Sequence, residues 1–269
     1  MLTIKNNIMA ANAARQVGRN YEALATSVER LASGLRINSA KDDAAGMAVR
    51  EMMRGDIAVL QQGARNALDG VSLLQTMEGA LQTIDNALVR MKQLAEQAAT
   101  GSYSSAQRTI MDNEFDQMAL EITRIAGAAD FNGIKMLDNS ATVGIHFGDA
   151  TDFINIAGSN MTSSALGMNS LSITTAASAK AALATLDTAI SSKDTARAKF
   201  GYMMNRLEST QEVLDIQAEN LMASESHISD VDVATEMAAL TRNQVLAQAG
   251  TAMLAQANSL PQMALTLLR

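Results

Sequence analysis

The side chains that most often perform chemistry are scarce in this sequence. It has no cysteine, and its two histidines, His146 and His227, have no cysteine, second histidine or HExxH motif around them. The motifs GxGxxG, GxxxxGK(S/T) and GxSxG, which bind phosphate or carry a nucleophile, do not occur. The sequence therefore predicts that the protein is not an enzyme, and it offers no catalytic, cofactor-binding or metal-binding residues.

One acidic cluster has the residue types of a calcium site; it consists of Asp230, Asp232 and Glu236. The loop glycine and the additional early oxygen ligand of a calcium loop are missing. Ser229 followed three residues later by Asp232 is instead typical of the start of a helix, where acidic side chains favour the helix dipole. By the same reasoning Ser39 is predicted to cap the helix that follows it.

The composition of the chain favours α-helices. The chain has 269 residues, of which 48% are apolar and only 3% aromatic, with a single proline and 16 glycines. These proportions suit α-helices and exclude an all-β sandwich or barrel. The net charge is −7, and no segment has the basic, aromatic-interleaved character of a nucleic-acid-binding face.

Apolar residues recur in steps of three and four, which is the pattern of a coiled-coil seam. A first seam consists of Val17, Tyr21, Leu24, Val28, Leu31 and Leu35. A second seam consists of Ile57, Leu60, Ala64, Ala67, Val71, Leu74, Met77, Leu81, Ile84, Leu88, Met91, Ala95 and Ala98. The second predicts a helix over 44–99, a rod of about 80 Å.

The seams after this rod are shorter. Ser104 and Gln107 predict a capping box for a helix that carries Met111, Phe115, Met118, Ile122, Ile125 and Ala129. Residues from about 130 to 176 are rich in Gly, Asn, Ser and Thr and contain two short alternating apolar runs, which predict a small β-hairpin with loops. Helical periodicity returns over 183–221.

The C-terminal segment is the least charged part of the chain. Arg242 is the only charged residue over 237–268. Small and apolar residues predicted to be buried are Leu246, Ala249, Gly250, Met253, Leu254, Ala257 and Leu260. Interspersed amides and Pro261 argue against a membrane span, so we expect this helix to be buried against protein.

Five stretches of sequence resemble bacterial flagellin. They are RLASGLRINSAKDDAAGMAV (30–49), QQGARNALDGVSLLQTMEGAL (61–81), NRLEST (205–210), ENLMASESHISDVDVATEM (219–237) and QAGTAMLAQANSLPQMALTLLR (248–269). The resemblance extends over the chain except for about 136–176. It implies a structural subunit that polymerises with copies of itself into the extracellular flagellar filament used for motility.

The resemblance also implies how the chain is divided and which partners it meets. The fold is expected to be mainly α, an elongated coiled-coil bundle built from both chain ends, with a small β-hairpin and no large outer domains. Residues 1–40 and 226–269 would form the terminal coiled-coil domain of the inner filament, and 41–225 the helical rod domain. Expected partners are the flagellar export apparatus, an export chaperone and a cap protein, with export of the unfolded chain and no cleaved signal peptide.

An animal innate immune receptor is a further partner that the resemblance suggests. In flagellins that it recognises, the contact is centred on an Arg, a Leu four residues later and a Glu on the following helix, which match Arg90, Leu94 and Glu114. Lys92 and Gln93 depart from the Arg-Glu pair usual between them. Lateral contact between subunits is the alternative role of these three residues.

Two other classes of protein share some of these patterns. A hook-filament junction protein of the same family has similar terminal helices, but the C-terminal run QANSLPQMALTLLR favours a filament subunit. A cytosolic signalling coiled coil shares alanine-rich heptads, but that class does not account for the charge-poor C-terminal segment.

Overall fold

A computed structural model describes residues 6–148 and 151–266 and the side chains up to Leu260. Within these residues the chain forms five helices and two strands: α1 (Ile8–Ser33), α2 (Ala44–Ala99), α3 (Ser105–Ala128), β1 (Thr142–His146), β2 (Phe153–Ala157), α4 (Ala176–Ser229) and α5 (Val233–Thr266). The predicted mainly α fold with a small hairpin and no large outer domains is confirmed. The parts of the predicted domains at 1–5, 149–150 and 267–269 lie outside the described residues.

The chain folds as two compact units. The terminal unit comprises Met1–Ile57 and Glu219–Arg269, and the middle unit comprises Ala58–Ala218. Helices α2 and α4 each contribute residues to both units. The predicted domain division at 40/41 and 225/226 stays a prediction.

In the terminal unit, α1 and α5 pack against each other in opposite directions. Asn7 at the start of α1 donates its side-chain amide to the carbonyl of Ala257, at 2.8 Å. Near the other end of the pair, Leu35 forms an antiparallel bridge with Asp230. Because the α1 residue number rises as the facing α5 number falls, the two helices form an antiparallel coiled coil.

The middle unit has a closed apolar core. Every residue of the predicted α2 seam from Ala64 to Ala98 is buried, and Leu60 is half-buried. Several of the largest core side chains are completely inaccessible; they include Leu74, Met77, Leu81, Ile84, Leu88, Met91, Phe115 and Ile122. On α4, alanines at Ala182, Ala189 and Ala196 take buried positions beside Leu186 and Phe200, which permits close packing of the helices.

The β-hairpin lies directly on α2. Strands β1 and β2 are antiparallel, with Val143 opposite Ile156 and Ile145 opposite Ile154. A Cβ added at Gly63 would lie 2.0 Å from the carbonyl oxygen of Phe147, so the glycine allows the hairpin backbone to approach the helix. The predicted capping box at the start of α3 is also confirmed.

The predicted cap of α2 is wrong by four residues. The Asp43 side chain accepts the Gly46 N–H at 2.9 Å, whereas the Ser39 hydroxyl donates to the Asp42 carboxylate at 3.0 Å. Helix α2 begins only at Ala44, and a side-chain acceptor caps a helix from the position just before its first residue. Ser39 therefore belongs to the connecting loop.

The predicted cap of α5 is wrong for the same reason. Helix α4 continues through Ser229, which is buried and whose hydroxyl has no hydrogen-bond partner among the described residues. Asp232 immediately precedes α5 and accepts the Ala234 N–H at 3.0 Å. The acidic residue of the predicted pair is thus the cap.

Candidate assembly surface

The seam between α1 and α5 is populated largely by small and polar residues. On α1 the buried and half-buried residues in steps of three and four are Ala10, Ala13, Val17, Asn20, Leu24, Ser27 and Leu31. On α5 the corresponding residues are Glu236, Leu240, Asn243, Ala247, Gly250, Leu254 and Ala257. A seam with this many Ala, Gly, Ser and Asn residues buries less apolar area than one of Leu and Val.

Close approach of the two helices depends on Gly250. A Cβ added there would lie 2.8 Å from Cγ2 of Val17. A β-branched side chain such as that of Val17 has little freedom to move aside. The position opposite it therefore has room for glycine but not for a residue with a Cβ. The contact sets the spacing of the helices near the middle of α1.

Large apolar side chains lie beside the seam and remain exposed. The exposed fractions are 51% for Tyr21 and 52% for Val28 on α1, and 46% for Leu246 and 65% for Met253 on α5. We call these four residues the flanking stripes, because members of each helix's pair are seven residues apart. Apolar residues at such regular spacing indicate a surface that a protein partner can bury.

The thirteen residues predicted to form the inner core differ in their exposure. Buried or half-buried are Val17, Leu24, Leu31, Leu35, Gly250, Leu254, Ala257 and Leu260. Exposed are Tyr21, Val28, Leu246, Ala249 and Met253. Sequence reasoning missed Asn20, Ser27 and Asn243, since a search for apolar periodicity passes over polar seam residues.

A backbone junction closes the terminal unit where α1 ends and α5 begins. Gly34 has a left-handed conformation, with φ 73°, and its N–H bonds to the Arg30 carbonyl at 2.9 Å. The next loop residues pair with the α4–α5 turn: Arg36 N–H donates to the Ser229 carbonyl at 2.7 Å, and Val231 N–H to the Gly34 carbonyl at 3.0 Å. These bonds fix where α5 begins relative to the end of α1.

Hydrogen bonds at this junction shift the pKa values of two carboxylates. Bonds from the Thr235 hydroxyl and from the backbone N–H groups of Thr235 and Ala234 lower the pKa of Asp232. Bonds from the Ser39 backbone and hydroxyl similarly lower the pKa of Asp42. Both carboxylates are thereby held in their charged form, which accepts these bonds.

In the middle unit, three ion pairs join α2 to α4. We call them the charge ladder; they are Glu78–Arg197, Asp85–Lys193 and Lys92–Asp187. The three α2 residues are spaced by seven and carry the signs minus, minus, plus. A shift of either helix by one heptad would oppose Asp85 to Asp187 or Lys92 to Lys193, so the ladder favours one register.

Lys193 is the buried member of this ladder, with only 3% of the residue exposed. Burial by itself would lower the pKa of Lys193, but hydrogen bonds and charges from Asp194 and Asp85 outweigh burial and raise it. The ammonium group therefore stays charged within the α2–α4 packing. Removing Asp85 would leave this buried charge with Asp194 as its remaining carboxylate partner, at 2.7 Å.

The residues predicted for receptor or lateral contact are brought together only in part. Arg90 donates to Glu114 through Nε at 2.8 Å and Nη2 at 2.7 Å, and both side chains are partly exposed. Leu94 is only 2% exposed and belongs to the core of the middle unit. A partner at this surface would meet the ion pair and not the leucine.

The described residues contain no group of three His, Cys, Asp or Glu side chains arranged to hold a metal ion. Among the described helices, none combines the length and the apolar content of a membrane span.

Comparison with known proteins adds a decisive observation. The bacterial flagellin N-terminal helical region matches residues 4–142, and the bacterial flagellin C-terminal helical region matches 183–268. The chain belongs to the bacterial flagellin family. It is therefore a structural protein of the flagellar filament and not an enzyme.

Individual flagellins agree with this assignment. The chain is 41% identical to a flagellin of Halalkalibacterium halodurans over the full length of both chains. It is similar to the crystal structure of a Bacillus cereus flagellin, with 34% identity, a TM-score of 0.51, and coverage of 60% of this chain and 94% of that one.

A putative flagellar hook-associated protein from Vibrio parahaemolyticus shares the fold. Its TM-score is 0.59 at 14% identity, covering 70% of this chain and 100% of that one. At this identity the likeness shows the fold alone. The flagellin relatives match the whole sequence, so the hook-filament junction protein is not favoured.

Proposed function

We propose that this flagellin polymerises by burying the flanking stripes against neighbouring copies of itself. The observation that carries the proposal is the exposure of Tyr21, Val28, Leu246 and Met253 beside a seam that is already closed. Full burial of an exposed large apolar side chain contributes about 1.5–3 kcal/mol. Because these four side chains are already about half covered, burial against a neighbouring copy adds roughly half of that for each of them. In this arrangement residues 1–40 and 226–269 form the inner coiled-coil domain of an extracellular filament.

The test separates the stripe from the seam with adjacent residues. Met253→Asp should leave the monomer folded and abolish filament growth from seeds, because the new carboxylate is exposed until a second copy covers it. Leu254→Asp should weaken the α1–α5 pairing within the monomer as well, since Leu254 is half-buried in the seam. Circular dichroism and electron microscopy report the two effects.

Gln244→Asp is the matched control, because Gln244 is exposed on the same helix and lies outside the flanking stripes. It should polymerise at nearly the normal rate. If Met253→Asp polymerises as well as Gln244→Asp, the stripe on α5 is not an assembly surface.

We further propose that the chain leaves the cell unfolded through the flagellum's own export channel, and that a chaperone holds α5 beforehand. The support is the low charge of this helix and its exposed apolar side chains, which an unassembled chain would present to water. A cap protein at the filament tip then places each subunit. If the chaperone binds α5, it should no longer co-purify with a chain that lacks residues 237–269. Unchanged co-purification would mean that the chaperone binds another part of the chain.

For the innate immune receptor we propose a contact centred on the Arg90–Glu114 ion pair, with Leu94 supporting it from the core. Removing the ion pair by Arg90→Ala should weaken binding of the receptor ectodomain to the monomer. The same change serves to test lateral subunit contact, since filament assembly can be measured on the same variant. Unchanged receptor binding would rule out this surface.

A further inference from the structure

The chain contains a single Asn-Gly pair, at Asn132 and Gly133. The structure places it at the tip of a two-residue turn. Phe131 and Ile134 exchange two backbone hydrogen bonds of 3.0 Å each, and φ is 53° at Asn132 and 81° at Gly133. Positive φ at both central residues is the arrangement of a type I′ turn, for which Asn-Gly is the favoured sequence.

Both residues of the Asn-Gly pair are accessible to solvent. Asn132 and Gly133 are exposed, and a Cβ added at Gly133 would meet nothing within 4 Å. Within the described part of the chain, neither the Asn132 side chain nor the Gly133 N–H has a hydrogen-bond partner. Water therefore reaches the amide, and no bond must break before it reacts.

An asparagine followed by glycine can lose ammonia without an enzyme. The Gly133 backbone nitrogen attacks the side-chain carbonyl carbon of Asn132, the new C–N bond closes a five-membered succinimide, and ammonia leaves with the transferred proton. Water then adds to either carbonyl of the ring and opens it to aspartate or isoaspartate. Glycine permits the attack because it has no side chain to shield its nitrogen.

Two other exposed asparagines provide a comparison within the same chain. Asn139 accepts the Ala141 N–H at 2.9 Å, and Asn169 accepts the Ser163 hydroxyl at 3.2 Å. Each is followed by serine, whose side chain crowds the attacking nitrogen. Their amides are therefore both restrained and less accessible to attack than that of Asn132.

We propose that Asn132 is the site at which this flagellin deamidates spontaneously, which converts the turn from neutral to negatively charged. Aspartate tolerates the left-handed conformation, so that product keeps the turn. Isoaspartate lengthens the backbone by one atom and disrupts the exchange of bonds between Phe131 and Ile134. These two residues line a hollow of about 380 Å³ with Leu73, Val143 and Ile145, so the change reaches the surface around β1.

The test incubates the folded full-length protein in mildly alkaline buffer and maps its peptides by mass at intervals. Asn132 should deamidate severalfold faster than Asn139 and Asn169, which is seen as the mass increase from replacing NH2 by OH. The product at Asn132 should be a mixture of aspartate and isoaspartate. The same chain unfolded in urea is incubated in parallel. Equal rates at the three sites in the folded protein, with Asn132 modified in urea, would mean that the turn protects the amide and would overturn the proposal.

Two variants assign the chemistry. Asn132→Gln should abolish the mass gain in its peptide, and Gly133→Ala should slow the reaction in the urea-unfolded chain, where the strained φ of the turn plays no part. A Gly133→Ala rate equal to that of the parent chain would show that the backbone nitrogen is not the nucleophile. Amide hydrogen exchange at Ile134 should be faster in the isoaspartate form than in the aspartate form, and equal exchange would contradict the predicted break in the turn.

Discussion

The terminal unit and the middle unit are both built from antiparallel helices, but they bury their side chains differently. In the middle unit the large apolar residues point into a shared core, and Leu81, Ile84 and Phe115 are fully inaccessible. In the terminal unit the seam holds Asn20, Ser27 and Gly250, while larger residues such as Tyr21 and Met253 lie outside it. The difference fits the proposed assembly, in which the middle unit is complete within a single chain and neighbouring copies complete the terminal unit.

Deleting residues 237–269 should show the largest effect on this comparison. We expect polymerisation to be abolished, because the deletion removes almost all of α5 and leaves the seam side of α1 uncovered. The middle unit should remain folded, since no residue of its core lies in the deleted segment. Sedimentation measures assembly, and thermal circular dichroism measures the remaining helix; filaments from the truncated chain would contradict the comparison.

A charge reversal in the ladder should destabilise the middle unit by a smaller amount. Asp85→Lys places a second ammonium group beside the buried Lys193. We expect the free energy of unfolding to fall by roughly 2–4 kcal/mol. The loss should be smaller than for a buried charge left without any partner, because Asp194 still pairs with Lys193. Glu78→Lys reverses the charge one heptad away, where the Arg197 side chain is 44% exposed. That control should cost less than about 1 kcal/mol.

Urea denaturation of both variants checks this prediction. Equal losses for Asp85→Lys and Glu78→Lys would mean that burial of Lys193 does not increase the energy of its ion pairs.

Acid should lower the stability of the terminal unit by a smaller amount, and the loss should be confined to the loops that join α1 to α2 and α4 to α5. The pKa values of Asp232 and Asp42 are lowered below the usual 3.8, so the folded state binds protons less readily than the unfolded state. Their contribution to stability is complete above pH 3.8 and is lost as the pH falls through the lowered values. Asp232→Asn should reduce this acid dependence, because asparagine caps a helix without titrating.

Two groups of the middle unit have the opposite pH dependence, whereas a hydrogen bond from Arg124 lowers the pKa of Glu121 on the surface of α3. The pKa of Lys193 is raised above the usual 10.5, so its contribution is complete below that pH and is lost as the pH rises through the raised value. Burial and the neighbouring Asp112 raise the pKa of Asp116, so protonation of Asp116 favours the folded state in acid. Hydrogen exchange followed across the pH range resolves the two units; acid opening of the middle unit before the terminal unit would contradict the assignment.

The sequence alone located the long rod and the start of α3, and its helical periodicity over 183–221 falls inside the longer α4 (Ala176–Ser229). The predicted rod over 44–99 matches α2 at both ends, and the capping box at Ser104 marks the start of α3 correctly. These features are local, because periodicity and caps depend on residues within one or two turns of each other. The C-terminal segment was also recognisable as a helix in need of a protein partner, since a single charge over 237–268 leaves it poorly suited to water.

Only the tertiary structure decided which face of each terminal helix meets the other. Asn20 and Tyr21 are adjacent, and both belong to an acceptable heptad pattern, yet Asn20 is buried in the seam and Tyr21 is exposed. Rotation by one residue turns a helix by about 100°, so the choice depends on the partner helix and not on the helix itself. Leu94 is a second case: its sequence position suggested a contact surface, but the packing of α2 in the middle unit placed it in the core.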